Sequence, residues 1–293
     1  MSSFTYVFNG ISLGSVYAII ALGYTMVYGI AKMLNFAHGD VIMIGGYVLF
    51  SMIYGSGTNV FAALIVAMVV CTVLGVVIEK VAYKPLREAS SLAVLITAIG
   101  VSILLQNIAQ LIFTSQPKMF RNPIKLGSVK MFGANIEGST ILMIVLGIII
   151  VVALSIFIRK TKTGRAMLAV SEDKDAAKLM GINVNTTITI TFAIGSALAA
   201  LASLLMFNAY PSLIPTSGSM PGIKAFVAAV FGGIGSIPGA MVGGIVLGII
   251  EVLSGAYIPN GTKLANAIVF VVLIVVLIFK PTGLFGKKIK EKV

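Results

Sequence analysis

The sequence has too little charge for a soluble protein. Only 10% of its residues are charged, whereas a soluble domain has about 25%. A freely soluble globular domain is therefore excluded, because the chain has too few polar groups to cover a folded surface. Hydrophobic residues make up 58% of the chain. This composition also excludes intrinsic disorder, which requires low hydrophobicity.

Reactive side chains are scarce as well. The chain has one cysteine, Cys71, and one histidine, His38. A lone cysteine cannot build a disulfide framework, and one histidine does not make a metal site. The sequence also lacks the phosphate-binding motif G-x-x-x-x-G-K-[ST] and any nucleophile–base pair near a membrane face. We therefore expect neither an enzyme nor a bound cofactor or metal in this chain.

Long apolar runs are what the sequence has in abundance. A helix needs about 20 residues to cross a bilayer, and runs near this length recur along a chain whose mean hydropathy is +1.08. The sequence predicts an all-α polytopic membrane protein, one transmembrane domain over residues 1–293, with about 8–9 transmembrane segments. Two of the runs are short and broken by glycine or polar residues. The nine runs are residues 6–30, 41–54, 60–78, 91–113, 141–158, 187–207, 223–237, 239–253 and 264–279.

The basic residues predict the orientation in the membrane. The net charge is +12, from 21 Lys and Arg against 9 Asp and Glu. Three clusters of cations each follow an apolar run, which is the positive-inside pattern. We expect loops 80–90 and 159–186 and the tail 280–293 to be cytoplasmic, and the N-terminus and loop 114–139 to be external. The clusters are Lys80, Lys84 and Arg87; Arg159, Lys160, Lys162, Arg165, Lys174 and Lys178; and Lys280, Lys287, Lys288, Lys290 and Lys292.

Nucleic-acid binding is not indicated by this charge. Such binding needs cations on one folded face, interleaved with aromatic residues, and no stretch of the chain has that pattern. The bilayer and other proteins are therefore the expected partners.

Two Gly-rich stretches, residues 34–46 and 230–239, stand in comparable positions of the two halves. Paired interruptions of apolar segments are typical of transporters whose pathway lies where helices break. A tight interhelical turn with close packing is the alternative for each stretch. His38 could equally be a hydrogen-bonded structural residue, and Asp40 an ordinary interfacial one. The pathway candidates are Asn35, Phe36, His38, Gly39, Asp40, Asn107, Gly232, Gly233 and Gly235.

Lys224 and Glu251 also fall within apolar sequence. An ionisable group at membrane depth is a functional candidate and usually has a partner. For Glu251, which lies near the predicted outer end of its segment, an interfacial carboxylate is the alternative.

Glycines spaced four residues apart have a different meaning. Gly10 with Gly14, and Gly244 with Gly248, place small residues on one helix face. In lipid, such faces let helix backbones approach closely, so we predict packing and no substrate role for them.

The loop over residues 159–186 contains the pattern of a short capped helix. Ser171 is placed to cap its N-terminus. Glu172 and Asp173 fall in the first turn and Lys178 in the last, where the helix dipole favours these charges. Gly181 is placed where a glycine ends a helix. We predict a helix over residues 172–180.

This helix is suited to docking into a groove on another protein. A plain connector lying on the membrane surface is the alternative. The residues expected to be available for contact are Ala176, Ala177, Leu179 and Met180.

Several stretches together resemble the LivH-type permeases, the membrane subunits of high-affinity branched-chain amino-acid ABC importers. Residues 10–18 read Gly-Ile-Ser-Leu-Gly-Ser-Val-Tyr-Ala, and residues 34–40 read Leu-Asn-Phe-Ala-His-Gly-Asp. Residues 163–183 resemble the coupling helix of that family, which adds Arg165 to the coupling residues. Residues 231–240 resemble its late Gly-rich motif.

The resemblance implies a permease subunit that translocates leucine, isoleucine or valine across the cell inner membrane. It also implies a second permease subunit of LivM type (or a second copy of this chain), two ABC ATPase subunits and an external substrate-binding protein. ATP and Mg²⁺ would then bind to the ATPase subunits. Permeases for urea and short amides share these motifs, so those substrates, or another amino acid, stay open.

A self-sufficient channel or an ion-coupled carrier is the alternative from a different functional class. The predicted docking helix argues against it. So does the lack of a chain of buried carboxylates, which proton coupling would require.

Overall fold

The computed structural model describes residues 3–121, 127–131 and 134–286, and most of these residues are helical. Because the bilayer core offers no partners for backbone N–H and C=O groups, long apolar runs satisfy these groups within helices. The expectations for the basic tail beyond residue 286 and for residues 122–126 and 132–133 lie outside the described residues. The helices are α1 (Ser3–Ala31), α2 (His38–Phe50), α3 (Val60–Ile78), α4 (Ser91–Phe113), α5 (Gly138–Lys160), α6 (Lys162–Glu172), α7 (Lys174–Leu179), α8 (Val184–Ala209), α9 (Ser219–Gly232), α10 (Ile237–Tyr257) and α11 (Gly261–Phe279).

Shorter elements extend or connect these helices. A π-helical turn, Ser51–Gly55, continues α2. A second, Glu79–Tyr83, continues α3 into the 3₁₀ turn Lys84–Leu86, so the predicted loop 80–90 is partly helical. Short strands form two antiparallel pairs, β1 with β4 and β2 with β3. The strands are β1 (Lys118–Met119), β2 (Ser128–Met131), β3 (Ala134–Glu137) and β4 (Ser212–Leu213).

Seven helices of the described chain are long and apolar enough to cross a membrane. They are α1, α3 with its extension, α4, α5, α8, α10 and α11. Two shorter helices, α2 with 13 residues and α9 with 14, lie where the short segments are predicted. The predicted fold, all-α with about 8–9 segments of which two are short, is confirmed.

Close contacts divide the chain into two compact units, each built from separate segments of sequence. Unit 1 comprises residues 1–25, 126–151 and 224–293, and unit 2 comprises residues 26–125 and 152–223. The sequence alone predicts a single domain over the whole chain and does not indicate this division.

In unit 1, α1 and α10 approach each other through glycines. A Cβ on Gly10 would lie 2.8 Å from the Cα of Ile249, so no larger residue fits there. Gly14 and Gly248 face each other in the same way, and Gly244 meets the backbone of α1 one turn further along. The close packing predicted from the four-residue spacing is confirmed.

In unit 2, α2, α3 and α8 form the core. Gly46 of α2 lies against the ring of Phe207 in α8, where a Cβ would come within 2.9 Å of the ring atom Cδ2. Phe207 is fully buried and stacks on Phe120, with ring centroids 5.4 Å apart. Since lipid is as apolar as these side chains, van der Waals packing of this kind is what holds membrane helices together.

The loops of unit 2 meet in two groups, one near each end of α3. The backbone N–H of Arg121 donates to the hydroxyl of Tyr54 at 2.7 Å, and β1 pairs with β4 in the same group. In the second group, Arg87 pairs with Glu79 and donates to the side chain of Asn185. Loops that are predicted to lie on the same side of the membrane are therefore in contact with each other.

Candidate functional site

The candidate coupling segment, residues 161–183, contains two helices, although the sequence predicts one. The first, α6, begins where the Thr161 hydroxyl accepts a hydrogen bond from the N–H of Gly164 at 2.9 Å. It continues through Ser171, whose hydroxyl donates to the carbonyl of Leu168 at 2.7 Å. The prediction that Ser171 caps a helix is therefore wrong, because Ser171 already lies inside α6.

Asp173 caps the second helix, α7. Its carboxylate accepts hydrogen bonds from the N–H groups of Asp175 at 2.9 Å and Ala176 at 3.0 Å. The helix covers Lys174–Leu179, so it is shorter than the predicted 172–180. Glu172 is the last residue of α6, and the acidic residue in the first turn of α7 is Asp175. The predicted first-turn positions of Glu172 and Asp173 are therefore wrong.

The C-terminal end of α7 agrees with the sequence prediction. Gly181 has φ +80°, in the left-handed region that glycine adopts without strain. Its N–H donates to the carbonyl of Lys178, and the N–H of Ile182 donates to that of Ala177, both at 3.0 Å. This is the Schellman arrangement, which satisfies carbonyls left unpaired at a helix end. The placements of Lys178 and Gly181 are confirmed.

One side of α7 is exposed and the other is buried. Leu179 and Met180 are 89% and 82% exposed, and Ala176 and Lys178 are exposed as well. Ala177 is only 3% exposed, so the expectation that it contacts a partner is wrong. We call the pair Leu179 and Met180 the docking patch.

The preceding helix, α6, is amphipathic. It buries Gly164, Met167 and Val170, which recur every three residues on one face. Arg165 lies on the exposed side. The segment therefore rests on one apolar face and presents its charged face outward.

Lys174 ties α7 to the end of α1. Its ammonium donates a hydrogen bond to the carbonyl oxygen of Ala31 at 2.9 Å. Ala31 is the last residue of α1, and its carbonyl has no partner within that helix. Burial lowers the pKa of Lys174, the nearby charges of Arg87 and Lys32 lower it further, and that of Asp175 acts in the opposite direction.

A second link joins the end of the segment to the loop after α3. Arg87 pairs with the buried carboxylate of Glu79 and donates to Asn185 at the start of α8. Glu79 also accepts a hydrogen bond from the Thr189 hydroxyl at 2.8 Å. Removing one member of such a buried pair leaves an uncompensated charge, so replacing either Arg87 or Glu79 alone should be destabilising.

The first Gly-rich stretch forms the turn before α2 and its first residues. Asn35 is buried, and its side-chain oxygen accepts a hydrogen bond from the Tyr83 hydroxyl at 3.0 Å. Phe36 is half-buried, and His38 is the buried first residue of α2. Gly39 packs against the backbone of Gly218, with no room for a Cβ. Polar groups are thus buried where two backbones meet closely.

Asp40 lies in the first turn of α2 within a polar cluster of unit 2. Its Oδ1 accepts a hydrogen bond from the amide of Gln106 at 3.0 Å. The same amide nitrogen lies 3.0 Å from the Ser219 hydroxyl and 3.2 Å from that of Ser102. The other oxygen, Oδ2, is buried and has no hydrogen-bond partner in the described ranges.

Asn107 does not join this cluster. It lies on an exposed face of α4 and donates to the carbonyl of Ile103 in its own helix at 2.7 Å. Gln106 rather than Asn107 is therefore the amide of α4 that reaches Asp40.

The second Gly-rich stretch forms a tight turn between α9 and α10. Gly232 ends α9, and Gly233 and Gly235 have φ +102° and +92°. The Ser236 hydroxyl caps α10. Carbonyls at the end of α9 accept hydrogen bonds from the backbone of residues 284–285 at 2.9 Å. This geometry fits the alternative for this stretch, an interhelical turn with close packing.

Comparison with known proteins identifies the family. The profile of a family described as branched-chain amino acid transport system / permease component matches residues 6–277. The chain belongs to this family. LivH of Salmonella typhimurium, a high-affinity branched-chain amino acid transport system permease protein, is 46% identical over 98% of this chain and 96% of its own length. BraD of Pseudomonas aeruginosa, with the same description, is 43% identical over 97% and 96%.

A solved structure shares the fold of this permease. It is PsaBC from Streptococcus pneumoniae in complex with Fab, with a TM-score of 0.51 and 17% sequence identity over 97% of this chain and 95% of that one. At this identity the likeness extends to the fold alone. The family resemblance inferred from the sequence motifs is confirmed, and the permease is a multi-pass membrane protein.

The residues that connect distant segments of this permease are not predicted from its sequence. Gln106, Arg87 and Lys174 each bond to a residue more than 60 positions away. Only Gln106 gives a local signal, because Ser102 lies four residues before it on the same helix face. The other two contacts depend on the folded chain.

Proposed function

We propose that this permease is the membrane-spanning subunit of an ATP-binding-cassette importer for leucine, isoleucine and valine. Relatives that match almost its whole length, LivH and BraD, are described as high-affinity branched-chain amino acid permeases. The matched family profile covers both the polar start of α2 and the coupling segment. These similarities support a transport role and this substrate class.

The importer includes an external substrate-binding protein, a second permease subunit and two ABC ATPase subunits. The second permease is of LivM type or is a second copy of this chain. ATP and Mg²⁺ bind to the ATPase subunits, which is supported by the lack of a phosphate-binding loop in this sequence. Energy from ATP therefore reaches the permease through protein contacts.

The exposed docking patch is the observation that supports a coupling role for this segment. Leu179 and Met180 stand at the end of a helix with defined caps at both ends, and such a helix docks well into a groove. Burying each of these side chains fully is worth about 1.5–3 kcal/mol. Because Lys174 on the same helix is bonded to Ala31, a displacement of α7 by the ATPase is passed to α1.

The N-terminus is external in this proposal, and the coupling segment and C-terminus are cytoplasmic. The basic clusters after α3 and after α5 support this orientation. The hydrogen bond between Arg87 and Asn185 supports placing both loops on one side. Loop 114–139, with Lys118 and Arg121, is then external and available to the binding protein.

The translocation pathway passes the polar groups at the start of α2. Asn35, His38 and Asp40 are buried among apolar helices, and Gln106 joins them through Asp40. Ionisable and amide groups at membrane depth commonly mark such pathways. We assign the turn over residues 232–235 to packing.

Copurification of the complex tests the docking role. Leu179→Asp/Met180→Asp replaces two apolar contacts by charges that the groove must desolvate. We expect the amount of ATPase subunits that copurifies with the permease to fall at least about tenfold, since a loss of 1.4 kcal/mol lowers an affinity by a factor of ten. Leucine uptake is expected to be lost with them.

The matched control is Lys162→Gln, an exposed substitution at the start of α6. It should retain both the ATPase subunits and uptake. If the double aspartate variant also retains them, the coupling role is rejected.

A further inference from the structure

Three side chains of unit 1 form a charged cluster between apolar helices. Lys224 belongs to α9, Glu251 to α10 and Tyr17 to α1. The Lys224 Nζ lies 2.6 Å from Glu251 Oε1, and the Tyr17 hydroxyl donates to Glu251 Oε2 at 2.9 Å. The same Nζ lies 3.4 Å from the Tyr17 oxygen and 5.7 Å from the centre of its ring. An ammonium, a carboxylate and a hydroxyl are thus in mutual contact.

Stability is a weak explanation for this cluster. Desolvating two charges can cost more than their attraction returns, and packed apolar residues of similar volume often serve a fold equally well. Lys224 and Glu251 are the only charged residues of α9 and α10. Charges placed this sparingly in apolar helices are functional candidates, because they tend to line a path for polar cargo.

We propose that Lys224, Glu251 and Tyr17 form a binding station for the charged head of an α-amino acid. This station rests on the proposed function, since it specifies how that substrate is held inside the permease. The substrate carboxylate accepts hydrogen bonds from the Lys224 ammonium, and the substrate ammonium donates to the Glu251 carboxylate. The Tyr17 hydroxyl can both donate and accept, so it remains bonded to either group.

The exchange keeps every charge paired. The ion pair between Lys224 and Glu251 is replaced by two ion pairs with the substrate, and the net charge of the station stays zero. No charge is left alone in the apolar interior, a state that would be costly. An uncharged amide such as urea cannot make this exchange, so the station selects amino acids over such compounds.

The station is largely buried and has apolar neighbours. The side chains of Lys224 and Glu251 retain 9% and 15% of their exposure. Buried apolar residues lie one helical turn away on the same faces, Leu247 before Glu251 on α10 and Val227 and Ala228 after Lys224 on α9. A ligand site that combines a few polar groups with apolar neighbours suits an aliphatic amino acid.

The decisive variant removes both charges together. In Lys224→Met/Glu251→Leu no buried charge is orphaned, and a purely structural ion pair would be replaced without loss. Leucine uptake and ATP hydrolysis stimulated by the binding protein are measured with the full complex in proteoliposomes. We expect uptake to fall at least about tenfold, with the complex assembled and stimulated hydrolysis retained. Wild-type uptake in this variant would overturn the station.

Tyr17→Phe provides a milder second variant. It removes one oxygen and leaves the ring, so folding is preserved, and uptake is expected to fall about threefold or more for one hydrogen bond lost. The matched control is Tyr6→Phe in the same helix, whose ring packs against Tyr257. If the double variant does not assemble, Tyr17→Phe decides the matter, and uptake equal to that of the control overturns the station.

The outcomes separate the station from the proposed function. A wild-type complex that imports no leucine, isoleucine or valine contradicts the proposed function itself. A wild-type complex that imports leucine, with wild-type uptake in the double variant (or in Tyr17→Phe, if the double variant does not assemble), contradicts only the station.

Discussion

The Lys174 ammonium donates a hydrogen bond to the carbonyl oxygen of Ala31 at 2.9 Å. Lys174 begins α7 and Ala31 ends α1, so the contact joins the coupling segment to a membrane helix 143 positions earlier in the chain. A cation is favoured at this place because the C-terminal end of a helix carries partial negative charge. The same short helix thus carries the docking patch and a bond to a membrane span.

Replacing Lys174 should uncouple ATP hydrolysis from transport. Lys174→Met removes a charge-assisted hydrogen bond while keeping a side chain of similar length, and such a bond contributes about 1.5–3 kcal/mol. We expect the ratio of leucine uptake to ATP hydrolysis to fall at least about threefold. Both rates are measured in the same proteoliposomes, with Lys162→Met as the control. An unchanged ratio contradicts a transmitting role for Lys174.

Gly181 should respond to substitution according to the cost of its left-handed conformation. This conformation costs a residue with a Cβ about 1–2 kcal/mol, and it costs asparagine less. No described residue lies within 4 Å of a Cβ added to Gly181, so the substitutions test the backbone conformation alone. We expect uptake to decrease in the order Gly181→Asn, Gly181→Ala, Gly181→Val. Gly55→Ala, with open space and an ordinary φ, is the control. Equal uptake in all three variants would show that the Schellman end of α7 is dispensable.

Cysteine labelling should reveal both the exposed side of α7 and its side of the membrane. The only native cysteine, Cys71, is buried, so introduced cysteines are seen against a low background. In inside-out vesicles a membrane-impermeant maleimide should label Met180→Cys but not Ala177→Cys, because Met180 is exposed and Ala177 is buried. Assembled ATPase subunits should protect Met180→Cys. Labelling only in right-side-out vesicles would reverse the proposed orientation.

Replacing Gln106 should lower leucine uptake more than replacing Gln110 on the same helix. Gln106→Leu leaves the buried Asp40 carboxylate without the amide that now bonds to it, which costs about 1–3 kcal/mol or more. We expect initial rates of leucine uptake to fall at least about fivefold. Gln110→Leu, an exposed change one turn further along the same helix, is the control. Equal uptake by the two variants would show that Asp40 and Gln106 do not belong to the pathway.

The sequence predicts the membrane helices well because their signal is local. An apolar run of sufficient length must form a helix in lipid, and the nine runs correspond to α1–α5 and α8–α11. The end of α7 is also local, since Gly181 is suited to the conformation that the turn requires. The glycine contacts between α1 and α10 follow from spacing on one face.

The first residue of α7 could not be predicted from the local sequence. Ser171 and Asp173 are both good capping residues two positions apart, so the local sequence does not choose between them. The choice depends on Thr161, which starts α6 early enough to include Ser171. Long-range contacts, such as Arg87 with Asn185 or Lys174 with Ala31, have no local signal at all.

Leucine accumulation in proteoliposomes tests the central claim, that partner ATPase subunits drive import through this permease. We expect the complex with its binding protein to accumulate leucine only when ATP is supplied to the ATPase side. The purified chain alone should give no flux down a leucine gradient. Gradient-driven leucine flux through the chain alone, without ATPase subunits, would contradict the account and indicate a channel or carrier.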